Sequence, residues 1–195
     1  MRTAVAIFPG SNCDRDMAVA IKKITGKSPL KLWHKDTEAP NLDLIVIPGG
    51  FSFGDYLRCG ALAARSPIIK NIKNHVSRGG ALLGVCNGFQ ILIEANILPG
   101  SLVRNKKLLF TCRETTLEVQ DSIQSPFLSS FNTGDCLNIP VAHNEGNYIA
   151  NNELLNELEN NGRIAFKYKK SSEIETDYNP NGSLNDIAGI LSKNG

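Results

Sequence analysis

Along the first hundred residues, short runs that are apolar at nearly every position alternate with segments whose apolar residues recur every three or four places. The runs "TAVAIF" (3–8), "PLKLWH" (29–34), "DLIVIPGG" (43–50) and "ALLGV" (81–85) predict strands. Those at 43–50 and 81–85 are almost continuously apolar, as strands covered on both faces tend to be. Between them the period lengthens. Asp14 is placed to cap a helix over "RDMAVAIKKIT", with Met17, Ala20, Ile21 and Ile24 on one face. A second helix is expected over 66–77, with Pro67 in its first turn, and a third from Phe89 to Ala95. This βαβα order predicts an α/β fold, a parallel sheet with helices on both faces.

After Pro99 the pattern changes. "LVRNKKLLFTCRETTLEVQ" (102–120) and "CLNIPVAH" (136–143) have strand character with little helix between them. They predict an antiparallel extension of the sheet or a lobe laid over its end. A short helix is expected over 152–161 and a further strand over 163–169. With no repeat, low-complexity tract or clear linker, residues 1–195 read as a single domain.

Charge removes some function classes. The 21 basic and 19 acidic residues leave a formal net charge of +2, which makes no case for nucleic acid or an anionic membrane surface. No apolar stretch is long enough to cross a bilayer, and the run Ala4–Phe8 before Pro9 is too short for a signal-peptide core. The five cysteines are odd in number and contain no C-x-x-C pair, which suits reduced thiols in a cytoplasm.

One of these cysteines stands in a special setting. Gly84–Val85–Cys86–Asn87–Gly88, between a strand and a helix, has the G-x-nucleophile-x-G form of a nucleophile elbow. A sharp turn there exposes the thiol at the carboxyl edge of the sheet and leaves no space for side chains at 84 and 88. The helix N-terminus beyond should favour thiolate, and the N–H of Asn87 is placed to receive an oxyanion. Free cysteines are more often buried and inert, which is the expectation for Cys13, Cys59, Cys112 and Cys136. The turn Pro48–Gly49–Gly50 ends the preceding strand, so Gly50 could offer a second backbone donor. The loop "PGGFSFGD" lacks the lysine of a phosphate-binding P-loop.

Gly84, Cys86, Gly88 and Gln90 match the G-x-C-x-G-x-Q pattern, in which the chain resembles class I, triad-type glutamine amidotransferases. The segments "FPGSNCDRD" (8–16), "PGGFSFGDYLRCGALA" (48–63), "PVAHNEGNY" (140–148) and "NPNGSLNDIAGI" (179–190) are similar to the branch serving phosphoribosylformylglycinamidine synthase in purine biosynthesis. The resemblance implies a flavodoxin-like three-layer sandwich. It implies that Cys86 attacks the amide of L-glutamine, giving a γ-glutamyl thioester and ammonia, with Gly50 and Asn87 holding the oxyanion and Gln90 helping to fix the substrate. Arg58, Asn105 and Arg113 are further candidates for its α-amino and α-carboxylate groups. Ammonia would be channelled to a larger synthetase subunit, accompanied by a small accessory subunit. No metal or cofactor is expected on this chain; ATP and Mg²⁺ belong to the synthetase, in the cytoplasm.

The family's general base is a histidine in a His-Pro-Glu signature shortly after the stretch resembling "NDIAGI". No such signature occurs among residues 1–195, so the expectation is a domain lacking that segment. Of the three histidines, His34 and His75 read as structural or surface residues, and His143 with Glu145 is the alternative base. Asn144 and Leu184 are small departures from the family pattern. Two other readings compete: a glutaminase-inactive subunit that only completes an assembly, and a different cysteine hydrolase on the same fold.

Overall fold

The computed structural model describes residues 1–170 and 178–195. They fall into two compact units, Met1–Ile97 and Leu98–Gly195. In the first, β1 (Thr3–Ile7), α1 (Asp14–Thr25), β2 (Leu30–Trp33), β3 (Leu44–Ile47), α2 (Ile68–Ser77), β4 (Ala81–Gly84) and α3 (Asn87–Glu94) follow one another. The four strands form one parallel sheet in the order β2-β1-β3-β4. The path from β1 to β2 runs to one side and that from β3 to β4 to the other. Right-handed crossovers then set α1 and α2 on opposite faces, giving the expected three layers. Val5, Val46 and Ile21 form the core beneath α1, with Met17, Ala18, Leu44 and Leu83 packed against them. Ile68, Ile69 and Ile72 are the buried stripe of α2.

The reversal of strand order between β1 and β3 opens a crevice at their carboxyl ends. Two loops meet there. The N–H of Phe53 donates to the carbonyl of Pro9 at 2.6 Å and that of Phe51 to Gly10 at 3.3 Å. Gly10 (φ +79°) makes this approach possible, since a methyl group on it would stand 2.4 Å from the Phe51 carbonyl oxygen. Some boundaries differ from expectation. Cys13, not Asp14, is the residue before α1. Asp14 is already helical and joins Asp16 as an acidic pair in the first turn, complementing the helix dipole. β3 stops at Ile47, because Pro48 turns the chain out of the sheet. α3 begins at Asn87, two residues earlier than the apolar pattern suggests.

The second unit contains β5 (Ser101–Val103), β6 (Thr111–Val119), β7 (Cys136–His143), β8 (Asn147–Ile149), α4 (Asn152–Asn160), β9 (Ile164–Tyr168) and β10 (Ile187–Ile190). The strands expected after Pro99 are antiparallel and form sheets of their own, β10-β9-β6-β7 and β5-β8. Helix α4 starts on an Asn151 side chain that accepts from the N–H of Leu154 at 2.9 Å. The polar motifs at 140–148 and 179–190 are joined here. Ser183 Oγ donates to the Gly146 carbonyl at 3.1 Å and accepts from the N–H of Tyr148 at 3.0 Å. The buried Asn181 donates to Tyr168 Oη at 2.9 Å and accepts from the N–H of Ser183 at 3.0 Å. These bonds satisfy irregular backbone that would otherwise be costly to bury. Among the described residues, no helix is long and apolar enough to cross a membrane.

Candidate functional site

Cys86 occupies the junction of β4 and α3 with φ +52° and ψ −111°, a conformation sparsely populated by residues other than glycine. Holding it costs about 1–3 kcal/mol, so the surrounding structure must impose it. The glycines on either side do so. A methyl group on Gly88 would stand 2.0 Å from the Ile47 carbonyl oxygen, and one on Gly84 would stand 2.8 Å from the carbonyl oxygen of Gly88. Strand end and helix start are therefore pressed together, and the tight turn turns out the thiol.

The loop after β3 forms the neighbouring wall. A methyl group on Gly49 would stand 3.4 Å from Cys86 Cβ, so this glycine lies directly against the elbow. On Gly50 (φ +136°) a methyl group would instead point toward Asn12, approaching its backbone nitrogen to 2.8 Å. Beyond it, Phe53, Gly54, Asp55 and Leu57 all have positive φ. Strain concentrated in one loop beside one strained cysteine is characteristic of a functional site. Asn87 holds the arrangement. Its buried side chain accepts from the N–H of Ser52 at 3.1 Å and donates to Asp55 Oδ1 at 3.2 Å and Gln90 Oε1 at 2.8 Å. One amide thus fastens the loop to the first turn of α3.

Cys86 is solvent-accessible, yet it is partly desolvated by its surroundings. Partial desolvation pushes the thiol above its ordinary pKa. The N–H of Asn87 acts in the opposite direction but does not prevail, and nearby Cys13 and Asp55 add to the rise. Burial thus opposes the ionisation that a helix terminus favours, and a base to take the proton would offset it. Alkylation of Cys86 by iodoacetamide is therefore expected to speed up with pH and reach half its limit above pH 9.0, the ordinary thiol value. Following peptide 79–104 by mass spectrometry checks this; a midpoint below that value would mean that the helix end prevails.

The other predicted site residues are distributed over both units. Gln90 is buried in α3, with its amide oxygen on Asn87. Arg58, largely exposed, pairs with Glu94 at 2.7 Å, an exposed contact of about 1 kcal/mol at most. Asn105 is buried in the second unit. Its Nδ2 donates to the carbonyls of Leu109 and His143, both at 2.9 Å, and its Oδ1 accepts from His143 Nδ1 and the N–H of Gly146, both at 3.1 Å. With both ends so engaged, Asn105 organises this turn and has little capacity left for a ligand. Arg113 is half-buried on β6, paired in register with Val141. His143 ends β7 and Glu145 lies in the turn to β8. Burial lowers the pKa of His143 and keeps it neutral. A methyl group on Gly146 would stand 2.7 Å from its Nε2, so the ring is packed onto that backbone.

His34 and His75 are buried, as a structural role requires. His34 lies edge-on to Phe53 at 5.2 Å, bracing the strained loop, and His75 Nε2 bonds the Ala81 carbonyl at 2.8 Å. The residues to which sequence reasoning gives no role are Asn12, Ser52 and Asp55. Their signal was present in "PGSNC" and "PGGFSFGD", but periodicity gives no reason to join two loops forty residues apart.

All 195 residues match the family model of the CobB/CobQ-like glutamine amidotransferase domain. The chain is 49% identical over its whole length to the phosphoribosylformylglycinamidine synthase subunit PurQ of Mesorhizobium japonicum, covering 85% of that protein. It is 51% identical to the corresponding subunit of Rhizobium meliloti, covering 84% of it. Among solved structures, a chain in the structure of PurLQS from Thermotoga maritima superposes with a TM-score of 0.85 and 38% identity, over the whole of this chain and 82% of that one. The elbow, its flanking glycines and the full-length likeness agree: the chain belongs to the CobB/CobQ-like glutamine amidotransferase domain family, with the PurQ subunits of phosphoribosylformylglycinamidine synthase as its relatives.

Proposed function

We propose that the chain is the glutamine-hydrolysing subunit of a phosphoribosylformylglycinamidine synthase and that Cys86 is its nucleophile. The observation that carries this is the strained Cys86 turn set against Gly49 at the head of α3. Cys86 Sγ attacks the side-chain carbonyl carbon of L-glutamine. The N–H groups of Gly50 and Asn87 receive the charge that develops on oxygen. Collapse of the tetrahedral adduct expels ammonia and leaves a γ-glutamyl thioester, which water hydrolyses to glutamate. Gln90 and Asn87 position the loop around the substrate; Arg58, in the same unit as Cys86, is the cation offered to its α-carboxylate. Ammonia passes to a larger synthetase subunit, with a small accessory subunit in the assembly. There ATP and Mg²⁺ serve the conversion of formylglycinamide ribonucleotide to the amidine, in the cytoplasm.

A thiol held above its ordinary pKa requires a base, and His143 is an unattractive one because its ring is packed within the second unit. We assign that role to a His-Pro-Glu signature, which residues 1–195 do not contain. The test has two arms. An electrophilic glutamine analogue should label Cys86 selectively, with L-glutamine protecting; labelling spread evenly over the cysteines would defeat the assignment. Glutamine hydrolysis by the 195 residues should then rise at least about 100-fold when the His-Pro-Glu segment of a relative is appended. Equal rates without it would return the base to His143.

A further inference from the structure

The methyl group that Gly49 lacks would touch two thiol-bearing residues at once. It would stand 3.4 Å from Cys86 Cβ and 3.6 Å from Cys13 Sγ. Two cysteines remote in sequence thus converge on one bare glycine, with no side chain of that residue between them. Cys13 belongs to the loop that is latched to the Gly49–Gly50 segment. Its thiol donates weakly to Asn12 Oδ1 at 3.4 Å, and Ser11 Oγ donates to the Gly49 carbonyl at 3.5 Å. Neither cysteine is disulfide-bonded; Cys86 is exposed and Cys13 half-exposed. We propose that Cys13 is a resolving thiol for Cys86, so that the pair forms a reversible disulfide across Gly49 when the elbow meets a peroxide.

The chemistry balances. A base from the buffer takes the Cys86 proton, and the thiolate attacks one oxygen of hydrogen peroxide, breaks the O–O bond and becomes a sulfenic acid, releasing hydroxide. Cys13 sulfur then attacks the sulfenic sulfur. An S–S bond forms, the S–O bond breaks, and the departing oxygen leaves as water with the proton of Cys13. Both thiols are oxidised and the peroxide is reduced. A dithiol returns both cysteines. The thiols are near enough for a charge on Cys13 to disfavour one on Cys86, an effect that the covalent bond abolishes. The arrangement would spare the nucleophile from the irreversible sulfinic state while stopping its chemistry. That last consequence alone rests on Cys86 being the glutamine nucleophile.

The chain is treated briefly with hydrogen peroxide, the free thiols are blocked, and tryptic peptides are mapped. The expected product is peptide 3–15 linked to peptide 79–104, lost on adding dithiothreitol. After dithiothreitol, Cys86 in the wild type should regain its iodoacetamide labelling. In Cys13→Ser that recovery should fall at least about tenfold, with sulfinic acid found at Cys86, whereas Cys59→Ser should behave as wild type. Sulfinic acid forming equally fast in wild type and Cys13→Ser without a linked peptide would overturn the proposal, as would pairing of Cys86 with another cysteine. The linked peptide is read without glutamine. Its formation in a chain that ignores the glutamine analogue would refute the proposed function and leave this inference intact.

Discussion

In a complex with the synthetase partner, Cys86→Ala is expected to lower glutamine-dependent synthesis by on the order of 10³-fold or more, while synthesis from added ammonia stays within about twofold of wild type. The size follows from what is removed. Without the sulfur no thioester forms, and the amide must be attacked by unactivated water next to an oxyanion site that alone is a weak catalyst. The split between nitrogen sources follows from where the chemistry resides, since ammonia bypasses the thioester. Alanine keeps the Cβ of cysteine and tolerates φ +52° no better and no worse, so the elbow should retain its shape. Steady-state rates with each nitrogen source decide the matter. Equal glutamine-dependent rates would make the chain a scaffold, and a parallel loss with both sources would point to a disrupted assembly.

The sequence made the elbow legible because its requirements are local. Gly84 and Gly88 are close to the only answers where a β-carbon would meet carbonyl groups, and the strand and helix patterns on either side fix where the turn falls. The parallel sheet was legible for a similar reason, since apolar runs of four or five residues alternating with amphipathic helices fit few other arrangements. What sequence reasoning could not supply was the nature of contacts between distant segments. Asn105 was singled out as a possible substrate contact for its place in a polar stretch, yet its amide is bonded to Leu109, His143 and Gly146. A polar residue's role depends on what its neighbours leave unsatisfied, and two of these, His143 and Gly146, are about forty residues away. Ionisation of the Cys86 thiol is a similar case. A helix terminus is visible in sequence, but the crowding that opposes it is not. The strand Ile187–Ile190 also escaped notice, because Gly189 interrupts its apolar run and shifts its pairing with β9.

Gly88→Ala is expected to be the most damaging single-methyl change in the first unit, lowering its stability by about 3–5 kcal/mol. The added carbon would be placed 2.0 Å from the Ile47 carbonyl oxygen and 2.8 Å from its carbonyl carbon. Neither atom belongs to a flexible side chain that can step aside. Ile47 ends a strand whose residues 45–47 are at most 1% exposed and which pairs with β1 and β4 on its two sides. Moving it would disturb the centre of the sheet. If α3 moved instead, Asn87 would be carried away from Ser52 and Asp55, and the buried face of Ile91 and Leu92 would be uncovered. Helix propensity cannot rescue the variant, because the gain of alanine over glycine is only about 1 kcal/mol. Urea titration of the wild type and variant measures the loss, and labelling of Cys86 by a glutamine analogue measures its consequence for the site. A variant of near wild-type stability that still takes the label would show that the strand–helix contact is not what holds the cysteine in place.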